Sequence, residues 1–581
     1  MRTIRALAVF AASAFVFALV IDPRPVAADP KADAKAKAKE LRKLLKKQLE
    51  EEAKKPAEPK KADVAKKGDA TQTPPKPAAK PVAVPKDNAA LTKFIDDQIN
   101  AKLTADKVTP SLLSSDEEFV RRVYLDITGV IPTAQQAVAF LDSKDPYKRS
   151  VLIDELLASP NFGRHQADVW QAKLYLRESD NRFLTAGPLV KWLEGEFNTN
   201  TPWDKLVTSL VTATGTVEAN PATLYTLSNR SVDKLTDSVG QHFMGIQLMC
   251  AQCHNHPFTA WKQSEYWGMA AFFSKTVADK PKNTNKGGDN TQIGVHEGAG
   301  KSKVKDFFPE SAKTVPAKFF GGAEPKIADK DPARPVLAAW LTSKDNPYFA
   351  KAMVNRTWAQ LFGLGFVNPV DDMHEANPAS HPDLLAGLSQ SFADGGFDLK
   401  NLYRVICNSR TYQRSSKPLD GNDADPHRFA RMAVKVLTPE QLFDSLAAVN
   451  GNSAGDRGKG DKGGAGPKGQ DNSTRGRFVA FFLAGAEEAS TTEYEAGIPQ
   501  ALKLMNSRQA VNPAAVKALA GSATKPAEVL EKLYLSTLAR RPTKDEVVRL
   551  SGYVGKATNA ADAYGDILWA ILNSSEFTMC K

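Results

Sequence analysis

The sequence predicts a mainly α protein: two helical domains joined by a long irregular connector, preceded by a signal peptide and a Lys/Ala/Pro-rich tether. Three observations predict it. Helix-start chemistry recurs along the body of the chain. Sustained alternation of apolar and polar residues is missing, so strands are few. Residues 277–331 lose apolar periodicity altogether and part the helical blocks.

Residues 1–28 read as a signal peptide. Arg2 and Arg5 form a basic start, an apolar run extends from Ala6 to Ile21, and Val26-Ala27-Ala28 supplies small residues before Asp29. The run is shorter than the roughly 20 residues that a spanning helix needs. Export to the periplasm or cell surface is the expectation. Residues 29–90 read as a tether, with Leu41, Leu44 and Leu45 at helical spacing before a Pro/Ala/Lys stretch too polar to bury a core. The net charge is +11, yet 17 Lys/Arg against 10 Asp/Glu between Asp29 and Asn88 put most of it in this tail. The body is nearly neutral, which argues against nucleic acid and points the tail at anionic envelope polymers or lipid head groups.

The first helical domain is expected over 91–276. Ser115 and Glu118 precede Phe119, Val120, Val123, Tyr124 and Ile127 on one helical face, and Thr133 with Gln136 repeats the device. Asp145-Pro146 and Thr201-Pro202 pair a capping residue with proline at the first helical position. Lys, Gly, Asn and Asp then dominate 282–300 within the connector. The second helical domain is expected over 332–578. Asn346-Pro347 opens a helix that stops at Gly363, Thr438 with Gln441 and Thr543 with Glu546 open two more, and an apolar helix covers Ile567 to Phe577. Residues 451–475, a Gly/Lys/Asp stretch, read as a disordered loop.

The sharpest chemical feature is Cys250-Ala251-Gln252-Cys253-His254. Covalent haem attachment needs two thiols about one turn apart for the two vinyl groups, and a histidine directly after them as iron ligand. Cys250, Cys253 and His254 are therefore candidate haem c residues, with His254 on the iron. Three other readings stay open: a Cys250–Cys253 disulfide or dithiol, a metal site of Cys250, Cys253, His254 and His256, and packing alone. No second axial ligand stands out. His256 follows His254 too closely, and Met244, Met249, Met269, His296, Met353, Met373 and His374 are the remaining options. Four cysteines do not make a disulfide scaffold, and whether Cys407 and Cys580 pair is not fixed by their spacing.

Asp371-Asp372-Met373-His374-Glu375 with His381 concentrates acids and imidazoles, as a metal or acid–base site would. Capping by Ser380 of the helix begun at His381-Pro382 is the preferred reading of that stretch. Thr491-Thr492-Glu493-Tyr494-Glu495, before Gly497-Ile498-Pro499, is a polar knot suited to a pocket or a cap. No Gly-rich phosphate loop, nucleophile elbow or HExxH is written in the chain, so no reaction and no catalytic residue follows from the sequence.

With these segments in view, the chain resembles planctomycete-type exported proteins that pair two domains of unknown function, a cytochrome-associated PSCyt-two domain followed by a PSD-one domain. The first resemblance rests on Phe119-Val-Arg-Arg-Val-Tyr-Leu-Asp-Ile-Thr-Gly-Val-Ile-Pro-Thr133, Leu156-Leu-Ala-Ser-Pro-Asn-Phe-Gly163 and Cys250-Ala-Gln-Cys-His-Asn-His-Pro-Phe258. The second rests on Asn346 to Trp358, Gly396-Phe-Asp-Leu-Lys400, Asn408-Ser-Arg-Thr-Tyr412 and Arg540-Arg-Pro-Thr543. The resemblance implies an exported or surface protein, often encoded beside an exported sulfatase-like protein, with no settled activity. Asn255 stands where the resembling proteins often carry Asp. The readings carried forward are a c-type haem or redox-associated protein, a non-catalytic envelope scaffold, and a metal-dependent hydrolase.

Overall fold

A computed structural model describes residues 85, 87–175, 184–257, 259–279, 293–298, 303–305, 314–422, 425–451, 473–483, 513–521, 523 and 525–581. The signal peptide, nearly all of the tether, residues 452–472 of the Gly/Lys/Asp loop and the Thr491–Pro499 knot lie outside the described residues; the end of that loop is corrected, because Thr474–Leu483 is helical and Arg475 pairs there with Asp168 and Asp444. The chain divides into Met1–Ala79, likewise outside them, and Lys80–Lys581.

The second unit is mainly α, with 21 α-helices among the described residues. Its helix starts follow the predicted chemistry. Ser115 accepts from the amide of Glu118 and opens the helix Asp116–Thr128. Reciprocal capping boxes of Thr133 with Gln136, Thr438 with Gln441 and Thr543 with Glu546 open Ala134–Asp142, Pro439–Val449 and Lys544–Lys556. Three starts slip by a residue or more. Asn346 Oδ1 accepts from the amides of Tyr348 and Phe349, and the helix runs Phe349–Phe362. Asp145 Oδ1 accepts from the amide of Tyr147, one residue ahead of Lys148–Ala158. The Thr201 hydroxyl is taken by Thr199, so Trp203–Thr212 begins without a side-chain cap.

Strands are few and short. Gly215–Thr216 and Thr276–Ala278 flank Gly294–Glu297 in an antiparallel sheet with Gly215 opposite Val295 and Thr276 opposite Glu297. The connector is thus stitched to the first block where it is described. Lys275 Nζ donates to the carbonyls of Asp329 and Asp331 at 2.8 Å, and buried Arg334 joins Glu297 to the carbonyls of Val211 and Ala213.

The core does not respect the boundary between the blocks. One apolar cluster runs from Leu91 to Ala539 and takes in residues of both. A second gathers the C-terminal helices, but also Leu125 and Ile131 of the first block. Apolar surface from both blocks therefore leaves water together.

A polar clamp crosses that core. In Asp116–Thr128 every residue from Phe119 to Thr128 is buried, including Arg121, Arg122 and Asp126. Arg121 donates to the carbonyls of Thr537 and Phe577 at 2.7 and 2.6 Å. Arg122 donates to the carbonyls of Tyr412, Arg414 and Lys581 and to Glu118. Asp126 accepts from Lys435 Nζ at 2.6 Å and from the Tyr412 hydroxyl at 2.9 Å. The same helix ends at Gly129, with φ +71°, where an added Cβ would stand 2.5 Å from His165 Nδ1.

Removing one partner of such a network strands buried acceptors. Arg122→Ala is expected to cost about 3–5 kcal/mol, and the exposed Arg410→Ala within about 0.5 kcal/mol. Urea unfolding of both variants checks this, and equal losses would contradict the clamp.

Candidate functional site

The path into Cys250–His254 is set by backbone geometry. The helix Val232–Val239 widens into a π-type turn, Gly240–Met244, which ends at Gly245 with φ +68°. A Cβ at Gly245 would meet the Met373 thioether at 3.3 Å, so the second block packs directly on this bend. Ile246 and Leu248 are buried, and Met249–Gln252 then form a short 3₁₀ helix.

Cys250 lies in this turn and Cys253 caps it, which sets the two about one turn apart. Ala251, between them, is fully buried. Both thiols are free and exposed. His254 follows, also exposed, with Nδ1 2.7 Å from the carbonyl oxygen of Asn255. A carbonyl only accepts, so Nδ1 carries the proton and the lone pair lies on Nε2.

The helix Gln263–Ala270 holds the run by its carbonyls. Gln263 Nε2 donates to the carbonyls of Gln252 and Cys253 at 3.1 and 3.0 Å, and Trp267 Nε1 to that of Gln252 at 3.0 Å. Asn255 Oδ1 accepts from the Gln263 amide at 2.9 Å. A carboxylate at position 255 could accept that bond equally. Below the helix, buried Tyr266 donates to the carbonyl of Asp233. Burial, with Asp233 nearby, pushes the Asp237 carboxyl up to about 6.

The fold joins two regions that the sequence offered separately. The Met373 amide donates to the carbonyl of Gly245 at 2.9 Å, and Asp371 accepts from Gln241 and Gln247 at 2.6 and 3.2 Å. The Trp261 ring lies edge-on to His256 at 5.2 Å and to His374 at 6.2 Å between centroids. Partial burial, His374 and His254 lower the His256 pKa, with Asp372 opposing them.

His381 does not join this group. It is buried against Phe366 and Phe429, and its Nδ1 pairs with the Ser380 hydroxyl at 3.1 Å. Ser380 is therefore spent on the imidazole, and the helix Pro382–Asp394 starts with no side-chain cap, which corrects the capping expected there. Among the described residues no group of three or more His, Cys, Asp and Glu side chains is placed to hold a metal ion.

Other sulfur and nitrogen donors are committed elsewhere. Met244 and Met269 are fully buried, and Met353 is nearly so. His374 Nδ1 accepts from the Ala376 amide, and its Nε2 lies 3.4 Å from Asp372. His296 sits in the connector sheet beside Asp279. Cys407 and Cys580 are free and buried, and burial pushes the Cys580 thiol up to about 11.

Sequence reasoning missed a polar cavity between the blocks. It is lined by Gly129, Arg164, His165, Asp168, Glu440 and Asp444, among others, and Arg475 pairs with Asp168 and Asp444 at 2.8 and 3.0 Å. The only hint in the sequence is charge inside an otherwise apolar helix face. Arg164 and Arg475 pair with Asp168 and Asp444, so it reads as a buried ion network rather than a reaction centre.

Comparison with known families supports the organisation read from the sequence. Residues 94–278 match PSCyt2, a protein of unknown function (DUF1549), and residues 333–554 match PSD1, a protein of unknown function (DUF1553). No curated protein and no solved structure matches the chain.

Two outcomes follow from the burial pattern. In the reduced protein without cofactor, a thiol reagent should titrate two cysteines at once, Cys250 and Cys253, and the other two only on unfolding. Four equally fast thiols would contradict the structure. His381 generates the second. Burial, foremost, lowers its pKa from 6.5 to about 4, so the fold favours the neutral ring and unfolding takes up a proton. The stability it contributes is complete above pH 6.5 and is lost as pH falls from there towards 4, at up to about 1.4 kcal/mol per pH unit. Urea unfolding between pH 7 and 5 should show a shallower loss in His381→Asn, and parallel curves would refute the assignment.

Proposed function

Because the chain belongs to the proteins that pair a PSCyt2 domain with a PSD1 domain, neither with an assigned activity, the site itself must carry the reading, and we propose that Cys250–His254 is a c-type haem attachment site in an exported, redox-associated protein. The observation that carries it is the arrangement at His254. Its Nδ1 donates to a backbone carbonyl while Nε2 keeps its lone pair beside two exposed thiols. An orienting bond of this kind on the far nitrogen is what an iron-ligating imidazole needs.

The donor set fits the group. Cys250 and Cys253, about one turn apart, would hold it through two thioethers, and His254 would bind its iron. Bound haem would supply one-electron chemistry. The rest of the work belongs to the chain. Gln263 and Trp267 fix the carbonyls of Gln252 and Cys253, so the two sulfurs hold their spacing without their own hydrogen-bonding capacity being used. Asn255, through its side chain, ties the histidine's loop to the helix behind it.

The exposure of the run suits attachment after export, when an assembly enzyme must reach both sulfurs. The basic tail would rest on anionic envelope polymers, and an exported sulfatase-like enzyme is the partner that the resemblance suggests. A reversible Cys250–Cys253 disulfide is the second reading, favoured by two exposed thiols about one turn apart.

The mature chain, produced in a host competent for c-haem attachment, should show a Soret band and a haem stain that survives denaturation. Cys250→Ala combined with Cys253→Ala should abolish both. A colourless protein carrying a Cys250–Cys253 disulfide would sink the haem reading in favour of the dithiol.

A further inference from the structure

A haem at this site needs a second axial ligand to become a six-coordinate electron carrier, and the chain's donors can be taken in turn. All eight histidines lie among the described residues. His165 is buried with Nε2 beside Gln360. His242 pairs with the Ser238 hydroxyl, and His427 lies beside Asp425. His296 is in the connector sheet, and His381 is wedged between Phe366 and Phe429.

His374 is the nearest histidine from the second block, and both its nitrogens are engaged. The Ala376 amide donates to Nδ1, so in the neutral ring Nε2 carries the proton and faces Asp372. A nitrogen that bears a proton has no lone pair for iron. His256 is held on the wrong side of the problem. Two residues span at most roughly 7 Å, too little to carry an imidazole from one face of a macrocycle to the other. Its amide bond to the Trp261 carbonyl and its ring contact with Trp261 fix it further.

Methionine offers no better donor among the described residues. Met244, Met269 and Met432 are fully buried, Met353 nearly so, and Met373 packs on Gly245. Met579 is in the strand paired with Lys435–Val436. Met249 is 65% exposed, but it belongs to the same short 3₁₀ helix as Cys250, on the segment that carries His254 itself. Met1 and Met505 lie outside the described residues.

Resting on the haem reading above, we infer that among the described residues His254 alone would bind the haem iron, leaving a position on it for a small exogenous ligand. The class is neutral diatomics such as carbon monoxide or nitric oxide, and small anions such as cyanide. The site is then a ligand-binding haem rather than a closed electron carrier. Its exposure puts that position in contact with solvent.

The test uses the full mature holoprotein and carbon monoxide. The expected result is a high-spin resting spectrum, with carbon monoxide binding the reduced form saturably at one per haem. His256→Ala, Met249→Leu and Met505→Leu should leave both unchanged. A low-spin, six-coordinate spectrum that resists carbon monoxide would overturn the inference. Conversion to high spin in His256→Ala, Met249→Leu or Met505→Leu would overturn it equally and name the missed ligand. Failure of the underlying reading is told apart by the stain, because without covalent haem no band survives denaturation.

Discussion

Two neighbouring guanidinium groups, Arg121 and Arg122, hold the distant parts of this chain in register. Taking a charge out of water costs several kcal/mol unless it is paired or fully bonded, and here that cost is offset by carbonyls the fold must satisfy anyway. Arg121 reaches the ends of two C-terminal helices, and Arg122 reaches the Tyr412–Arg414 turn and the chain end at Lys581. Burial lowers the Arg121 pKa to about 10, still far enough above neutrality to keep the group charged. One helix of the first block thereby organises segments more than 280 residues away.

The site depends on that arrangement. Cys250–His254 is anchored from its own block by Gln263 and Trp267, but the bend before it leans on the second block through Gly245, Gln241 and Gln247. If the blocks separated, Asp371 would lose both amide donors and Trp261 would lose His374. The shared apolar core makes separation costly, because Phe349 of the second block stacks on Trp203 of the first, with Phe397 behind Phe349 and Trp170 and Phe243 behind Trp203. The geometry around the thiols is therefore a property of both blocks, although every donor proposed for the haem comes from one.

Much of the fold was legible because helix starts are local. A hydroxyl and a Glu or Gln three residues on satisfy each other's backbone amides wherever they occur, and Thr133, Thr438 and Thr543 each did so. Proline was a poorer guide. Asp145, Thr201 and Asn346 all sat two residues or fewer from one, and each helix started later than the proline suggested. The thiols and His254 were legible as a motif, since they lie within five consecutive residues. What could not be read was long-range pairing. Nothing local says that Asp371 meets Gln241, that Trp261 stands between His256 and His374, or that Arg164 and Arg475 share Asp444. Ser380 failed for a similar reason: its hydroxyl had two nearby uses, and the buried ring of His381 took it.

The way the motif is held bears on what it can do. A structural cysteine pair or a packed histidine is normally immobilised through its own side chain. Here the contacts fall on backbone carbonyls and on Asn255, while the sulfurs and His254 Nε2 are left unspent on the surface. Cys407 and Cys580 make the contrast within the same chain, buried among apolar and charged neighbours where burial keeps the thiols protonated. A scaffold that fixes the spacing of two sulfurs and one imidazole, yet consumes none of their bonding capacity, favours chemistry added after folding over a structural role. That asymmetry between how the motif is supported and what it leaves free is the strongest physical argument for covalent cofactor attachment at Cys250–His254.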